Sequence, residues 1–406
     1  MRLGRTTAAT DLLSVWDAED GFLLEREGAG LAAAGTTRAA VVQPGPDQGA
    51  EAGEVASELL RDLDAGSAVV VGALAFDGGV PARLWVPARL LRTTAAGGVR
   101  ADLLGDGGDA SAEGPPPPPV RRPPTETATG GRLSSRPEPD PSVYAAAVSE
   151  AVDRIRRGAL RKVVLARTLE LELSGGIDAT TVLRRLRRRD PGCHTFAVRG
   201  ADGRMLLGAT PETLLRRRGR TVVCGPMAGS APRSASPGED AAAARRLLAS
   251  QKDHREHRLV VEAMSDALVP FCETLEVDPA PRLTATASLW HLTTTMCGRL
   301  VADAPGALGL AAALQPTPAV CGTPTAAALD TIHELEPVPR GLYSGLVGWV
   351  DAAGDGEWVV ALRCATLCGR RARLYAGAGI VEGSLPALEV AETEAKFSAL
   401  LTALAG

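Results

Sequence analysis

The chain has 406 residues, 45% of them apolar, enough to bury a large core in one or two domains. A net charge of −4 gives no general attraction to nucleic acid or an anionic membrane, and five Trp, five Phe and three Tyr leave little surface for stacking bases. No run of 18 apolar residues occurs, and residues 1–20 carry acids where a signal peptide needs its apolar stretch, so a cytoplasmic protein without a membrane partner is expected. Seven Cys, all beyond residue 192 and without paired CxxC spacing, fit buried thiols in a reducing compartment.

Residues 1–104 read as an α/β segment with strands in SAVVVGALAFD (67–77) and around Trp85, and with no reacting site. Residues 105–141 are Gly/Asp-rich and then Pro-rich, with consecutive prolines at 115–119; such a stretch forms no core and reads as an exposed connection. Stronger patterning runs from 142 to 406. Val143, Ala147, Val148, Val152 and Ile155 form a helical stripe with Ser142 as its cap. RKVVLARTLELEL then gives a buried strand with Lys162 at its mouth. An Arg-rich helix, TVLRRLRRR, reads as a solvated face. The hairpin HTFAVRG–ADG–RMLLGATPETLL leads to Glu212, whose carboxyl projects from the turn set by Pro211. Partial burial there would raise its pKa and keep it protonated as a general acid.

Beyond the loop PMAGSAPR, a helix is expected from residue 239 through AAAARRLLASQKDHREHRLVVEAMSDAL, with Asp253 and Glu256 three apart. His254 and His257 beside them read as surface or outer-layer groups, because neutral imidazole is a poor Mg²⁺ ligand. His291 is the one polar side chain in an apolar strand, a pattern that fits a core histidine at least as well as a reacting one. Arg363 falls inside the strand WVVALRCATL, where a guanidinium requires an anionic partner. Gly377 and Gly379 let backbone N–H groups approach a ligand closely. After Ser384 and Pro386 a helix carries Glu389, Glu392 and Lys396 on one face.

Two helices thus each offer acids at i,i+3. Brought together, four carboxylates would repel unless a divalent cation neutralised them; kept apart, they are ordinary helical charges, including an i,i+4 Glu–Lys pair. The 44 basic residues include only three lysines, Lys162, Lys252 and Lys396. In so Arg-rich a chain, lysine is expected where a compact, titratable amine is needed, since guanidinium does not act as a base near neutral pH.

In order along residues 144–405, RKVVLAR, LLGATPETLL, PMAGSAPR, KDHREHRLVV, LWHLTTTMCGRL, LQPTPAVCGTP, GLVGWVDAAGDGEWVVALRCATL and YAGAGIV resemble the chorismate-utilising enzymes. These include anthranilate, aminodeoxychorismate, salicylate and isochorismate synthases. The resemblance implies an α+β fold of two packed antiparallel β-sheets flanked by helices, binding chorismate with Mg²⁺ in a central cleft. It implies Lys162 as the base that activates water, where ammonia-using members have Gln, and Glu212 as the acid. Glu256 and Glu392 would hold Mg²⁺ directly, and Asp253 and Glu389 through water. Tyr343, Arg363 and the backbone at Gly377 and Gly379 would hold the pyruvyl carboxylate, with Lys396 near the metal-bound end and His291 and Ala319 lining the site. Ala228 stands where aminodeoxychorismate synthases have Lys, and Gln315 where a His often begins the HPTPA motif. Tyr343 is Tyr in salicylate synthases, whereas Ala319 is Thr there. The implied activity is isochorismate synthase, with salicylate synthase or an inactive chorismate-binding protein as alternatives. The protein is expected to act as a monomer supplying an isochorismatase or an isochorismate pyruvate lyase in siderophore or menaquinone biosynthesis.

Overall fold

The computed structural model describes residues 11–63, 68–94, 98–103 and 131–405. Among these, strands pair antiparallel into sheets of eleven, nine and three strands. Alternate residues along each strand point to one face. Phe22, Leu24, Phe196 and Leu206 from the larger sheet therefore meet Val69, Val71, Trp85, Val347 and Val359 from the nine-stranded one in a single buried cluster. The outer face of the larger sheet is covered by the helices Ala179–Arg189 and Pro386–Ala405 through Val182, Leu183, Leu186, Phe397 and Leu400. Helices Gln48–Leu59, Gln251–Leu268 and Ala307–Leu314 cover the nine-stranded sheet through Ala52, Ala56, Val260, Met264, Leu308 and Ala311. This is the expected α+β arrangement, two packed antiparallel sheets with helices outside. Met227–Pro232, Leu289–Thr293 and Arg282–Ala285 add a small third sheet.

The N-terminal strands belong to both large sheets: Phe22–Arg26 pairs with His194–Arg199, and Val69–Leu74 with Leu346–Asp351. Most of the expected connection at 105–141 lies outside the described residues. Its end, Arg132–Glu138, pairs as a strand along Lys162–Leu173.

Two helix starts differ from expectation. Asp140, not Ser142, caps the helix Pro141–Arg156, its Oδ1 accepting from the Ser142 N–H at 2.9 Å. An Asp before Pro meets an orphan N–H of the first turn and adds a negative charge at the positive helix end. The long helix expected from residue 239 is two, Pro237–Ala249 and Gln251–Leu268. Ser250 breaks it because its hydroxyl accepts from the Asp253 N–H, making a new N-cap that re-aims the acid-bearing turn.

Two strands change sheets. Met205–Thr210 lies in the eleven-stranded sheet and continues as Thr213–Arg218 in the nine-stranded one; Gly356–Val360 and Cys364–Cys368 make the reverse crossing. Both crossings lie side by side: the Val360 N–H donates to the Glu212 carbonyl at 3.1 Å, and the Ala209 N–H to that of Arg363 at 3.2 Å. Arg363 is therefore not inside one continuous strand. It sits at the bend, with φ at +47°, a conformation unusual for a residue with a Cβ.

The strand Lys162–Leu173 is held by a buried pair. Arg340 and Glu336 are joined by charge-assisted hydrogen bonds, Glu336 Oε1 accepts from the Ala166 N–H at 2.7 Å, and Arg340 donates to the Val164 and Val320 carbonyls, each at 2.7 Å. Of the seven free cysteines, Cys193, Cys224, Cys321 and Cys364 are buried, whereas Cys297 and Cys368 are exposed, against the expectation of buried thiols throughout.

Candidate active site

The sheet crossings, the mouth of the Lys162 strand and the acidic faces of two helices open onto one cavity of about 310 Å³. Its walls include Glu212, Ala228, Lys252, Asp253, Glu256, His291, Ala319, Tyr343, Arg363, Gly377, Gly379, Glu389, Glu392 and Lys396. Lys162 lies just behind this wall, fully buried, with its Nζ 2.9 Å from Glu256 Oε1. Every site residue expected from sequence is therefore at or against this one space.

Each of the three lysines is paired with a carboxylate of the cavity. Besides the Lys162–Glu256 pair, Lys396 Nζ donates to Glu392 Oε1 at 2.6 Å and to the Gly377 carbonyl at 2.7 Å, and Lys252 Nζ stands 3.7 Å from Glu389 Oε1. Ser230, on the strand Met227–Pro232 where a loop was expected, reaches Glu392 at 3.4 Å. The carboxylates feel one another. Burial and then the neighbouring Glu392 raise the pKa of Glu389; burial, with Glu256 and Glu392 nearby, raises that of Asp253. Burial would also raise Glu392, but the Lys396 ammonium outweighs it and holds that carboxyl below its usual value.

Glu212 behaves differently. It is 3% exposed, its Oε1 has no hydrogen-bond partner among the described residues, and burial pushes its pKa up to about 8 against the opposing pull of Lys162 and Arg363. At neutral pH it is a protonated acid that can donate. Next to it, Arg363 hydrogen-bonds His291 Nε2. A guanidinium only donates, so that nitrogen must accept and the imidazole is neutral; burial and then the Arg363 charge hold its pKa well below the ordinary value. Arg363 lines the cavity, and its Nη1 is buried without a partner among the described residues, a donor that an anion would satisfy.

Tyr343 and Tyr375 stack with centroids 5.0 Å apart and form an aromatic wall. The wall is close to the glycine strand: a Cβ on Gly377 would lie 3.0 Å from the Tyr343 hydroxyl. On Gly379 a Cβ would lie 2.4 Å from Glu256 Oε1 and 3.3 Å from Lys162 Cε. Gly379→Ala should therefore fold, since the clash is with the end of a flexible side chain, yet push Glu256 off Lys162. We expect turnover to fall by about tenfold or more, the cost of a small misplacement at a reacting centre. Steady-state rates that match the parent would contradict this placement.

The donor set suits a hard divalent cation, because four carboxylates share one wall and two have their protons held more tightly by burial and then by like-charged neighbours. Among the described residues no three His, Cys, Asp or Glu are already grouped to hold a metal. The lysines occupy the carboxylates instead. The sequence did not single out Ser230 or Tyr375; Tyr375 lies within the YAGAGIV motif, but its stacking depends on Tyr343, in a turn distant in sequence. Gln315 donates to the Ser344 carbonyl at 2.7 Å and packs the loop against the Tyr343 turn.

The model of the "chorismate binding enzyme" family matches residues 120–405. The isochorismate synthase DhbC of Bacillus subtilis is 46% identical over 285 residues, covering 69% of this chain and 72% of that protein. A Bacillus anthracis crystal structure described as a 2,3-dihydroxybenzoate-specific isochorismate synthase, DhbC, superposes with a TM-score of 0.83 at 36% identity, covering 97% of this chain and 98% of the other. MenF, the menaquinone-specific isochorismate synthase of Escherichia coli, superposes with a TM-score of 0.79 at 26% identity, covering 98% of this chain and 92% of the other. On the ordered motifs, the two-sheet fold and these matches, the chain belongs to the family of chorismate-binding enzymes.

Proposed function

We propose that this protein is an isochorismate synthase, interconverting chorismate and isochorismate. The observation that carries the reading is a buried, protonated Glu212 in the wall of one cavity with the Lys162 amine packed behind that wall, beside four carboxylates and an Arg363 Nη1 that has no partner among the described residues. The isochorismate synthase names of the similar proteins support it.

Arg363 Nη1 and the Tyr343 hydroxyl bind the pyruvyl carboxylate, with the backbone of Gly377 and Gly379 alongside. Glu256 and Glu392, with Asp253 and Glu389 beside them on the same wall, would hold Mg²⁺. When bound, the cation neutralises the ring carboxylate and the acidic wall. Lys162 is the base that takes a proton from water as the water oxygen bonds to C2; the ring double bonds shift, and the C4–O bond breaks. Glu212 delivers its proton to that departing oxygen, which leaves as water. The reverse reaction exchanges the two roles. Free thiols throughout agree with a reducing, cytoplasmic setting. Relatives named for dihydroxybenzoate and for menaquinone support a product that enters one of those routes.

Chromatography of chorismate incubated with the purified protein, with and without Mg²⁺ and ammonium, tests the assignment. Isochorismate should form only with Mg²⁺, without dependence on ammonium and without pyruvate. Salicylate with equimolar pyruvate would make it a salicylate synthase, and anthranilate or unchanged chorismate would refute water addition.

A further inference from the structure

Lys162 has a role in the scheme above and Lys396 is fixed between Glu392 and the Gly377 carbonyl; Lys252 has neither, although it lines the same cavity. It is the second residue of the helix Gln251–Leu268, in a first turn where the helix dipole favours anions over cations. Its Nζ stands 3.7 Å from Glu389 Oε1, beyond hydrogen-bond reach, and its side chain is 43% exposed while that of Glu389 is 5% exposed. The other two lysines are anchored, Lys162 by complete burial against Glu256 and Lys396 by the Gly377 carbonyl and Glu392. Of the three, Lys252 alone can leave its carboxylate by side-chain rotation into water, without breaking an aligned hydrogen bond. Its departure strips Glu389 of a counter-ion in a wall already crowded by Glu392 and Glu256.

We propose that Lys252 is an internal competitor of the divalent cation: it neutralises the Glu389 side of the acidic wall in the resting protein and is displaced when the cation arrives. This deepens the Mg²⁺ reading above and rests on it. A cation entering at Glu389 must then work against one nearby positive charge, so the native lysine weakens the affinity of the wall for the cation.

Calorimetric titration of Mg²⁺ into substrate-free parent, Lys252→Gln and Lys252→Arg tests this without turnover. Lys252→Gln should bind Mg²⁺ about three- to tenfold more tightly, the size of one partly screened charge interaction, and Lys252→Arg should stay within about twofold of the parent. The gain should shrink at about 0.5 M NaCl, because an exposed charge is screened. Equal or weaker Mg²⁺ binding by Lys252→Gln, with a parent that binds, overturns the competitor role and leaves the cation site standing. A parent that takes up no Mg²⁺ overturns the cation site and this role with it.

Discussion

Lys162→Ala should lower chorismate turnover by about 10²- to 10⁴-fold, the usual worth of a positioned general base, while chorismate affinity stays within about tenfold. Lys162 has no share of the cavity surface of its own; behind the wall its Nζ lies against Glu256 and its Cε beside Gly379. Its contribution therefore comes as the proton moves, which lowers kcat more than it raises KM. The substitution also leaves Glu256, only 12% exposed, without its ammonium, and breaking such a buried pair costs about 3–5 kcal/mol. Lys162→Gln separates the two effects, since it keeps a polar group at the end of the chain but no base. Both variants should be inactive, with Lys162→Gln the more stable of the two on thermal melting. If either retains near-parental kcat, Lys162 is not the base.

Glu212→Gln should cost a similar 10²- to 10⁴-fold in kcat, because an amide cannot deliver the proton that lets the C4 oxygen leave. The pH dependence has a definite sign. Burial raises the Glu212 pKa from 4.5 to about 8, so the acid form needed for chorismate conversion is present below that value and is lost as pH rises through it. The kcat/KM of the parent should therefore fall on the alkaline side of about pH 8. Stability follows the same proton. Between pH 4.5 and about 8 the folded protein keeps it while the unfolded chain gives it up, so this group makes the fold less stable as pH rises across that window. Glu212→Gln removes the effect: its melting temperature relative to the parent should be higher at pH 8.5 than at pH 5. A difference that is the same at both values would mean the Glu212 carboxyl titrates normally.

The acidic wall was legible because spacing fixes direction on a helix: Asp253 with Glu256, and Glu389 with Glu392, share faces whatever the helices pack against. Glu212 was legible because Pro211 marks a turn after an apolar strand. Arg363 was recognised as a buried cation but misplaced, since WVVALRCATL keeps one apolar run while its backbone turns from one sheet to the other. Such a crossing is decided by which distant strands lie on each side, Thr213–Arg218 for one half and Met205–Thr210 for the other. The break at Ser250 was hidden for a related reason. A serine amid helix-forming residues reads as tolerated until the chain's bend turns its hydroxyl into a cap. The lysine pairs were beyond reach as pairs, although the scarcity of lysine singled out all three residues.

Turnover of chorismate in ¹⁸O-labelled water, followed by mass spectrometry of the product, tests most directly whether an amine and an acid divide the reaction between them. Isochorismate should carry one solvent oxygen, at C2, from the first turnover, and Lys162→Gln should release no labelled product. Product that retains the original chorismate oxygen at C2 would show that the hydroxyl migrates without solvent attack, and water activation by Lys162 would then be wrong.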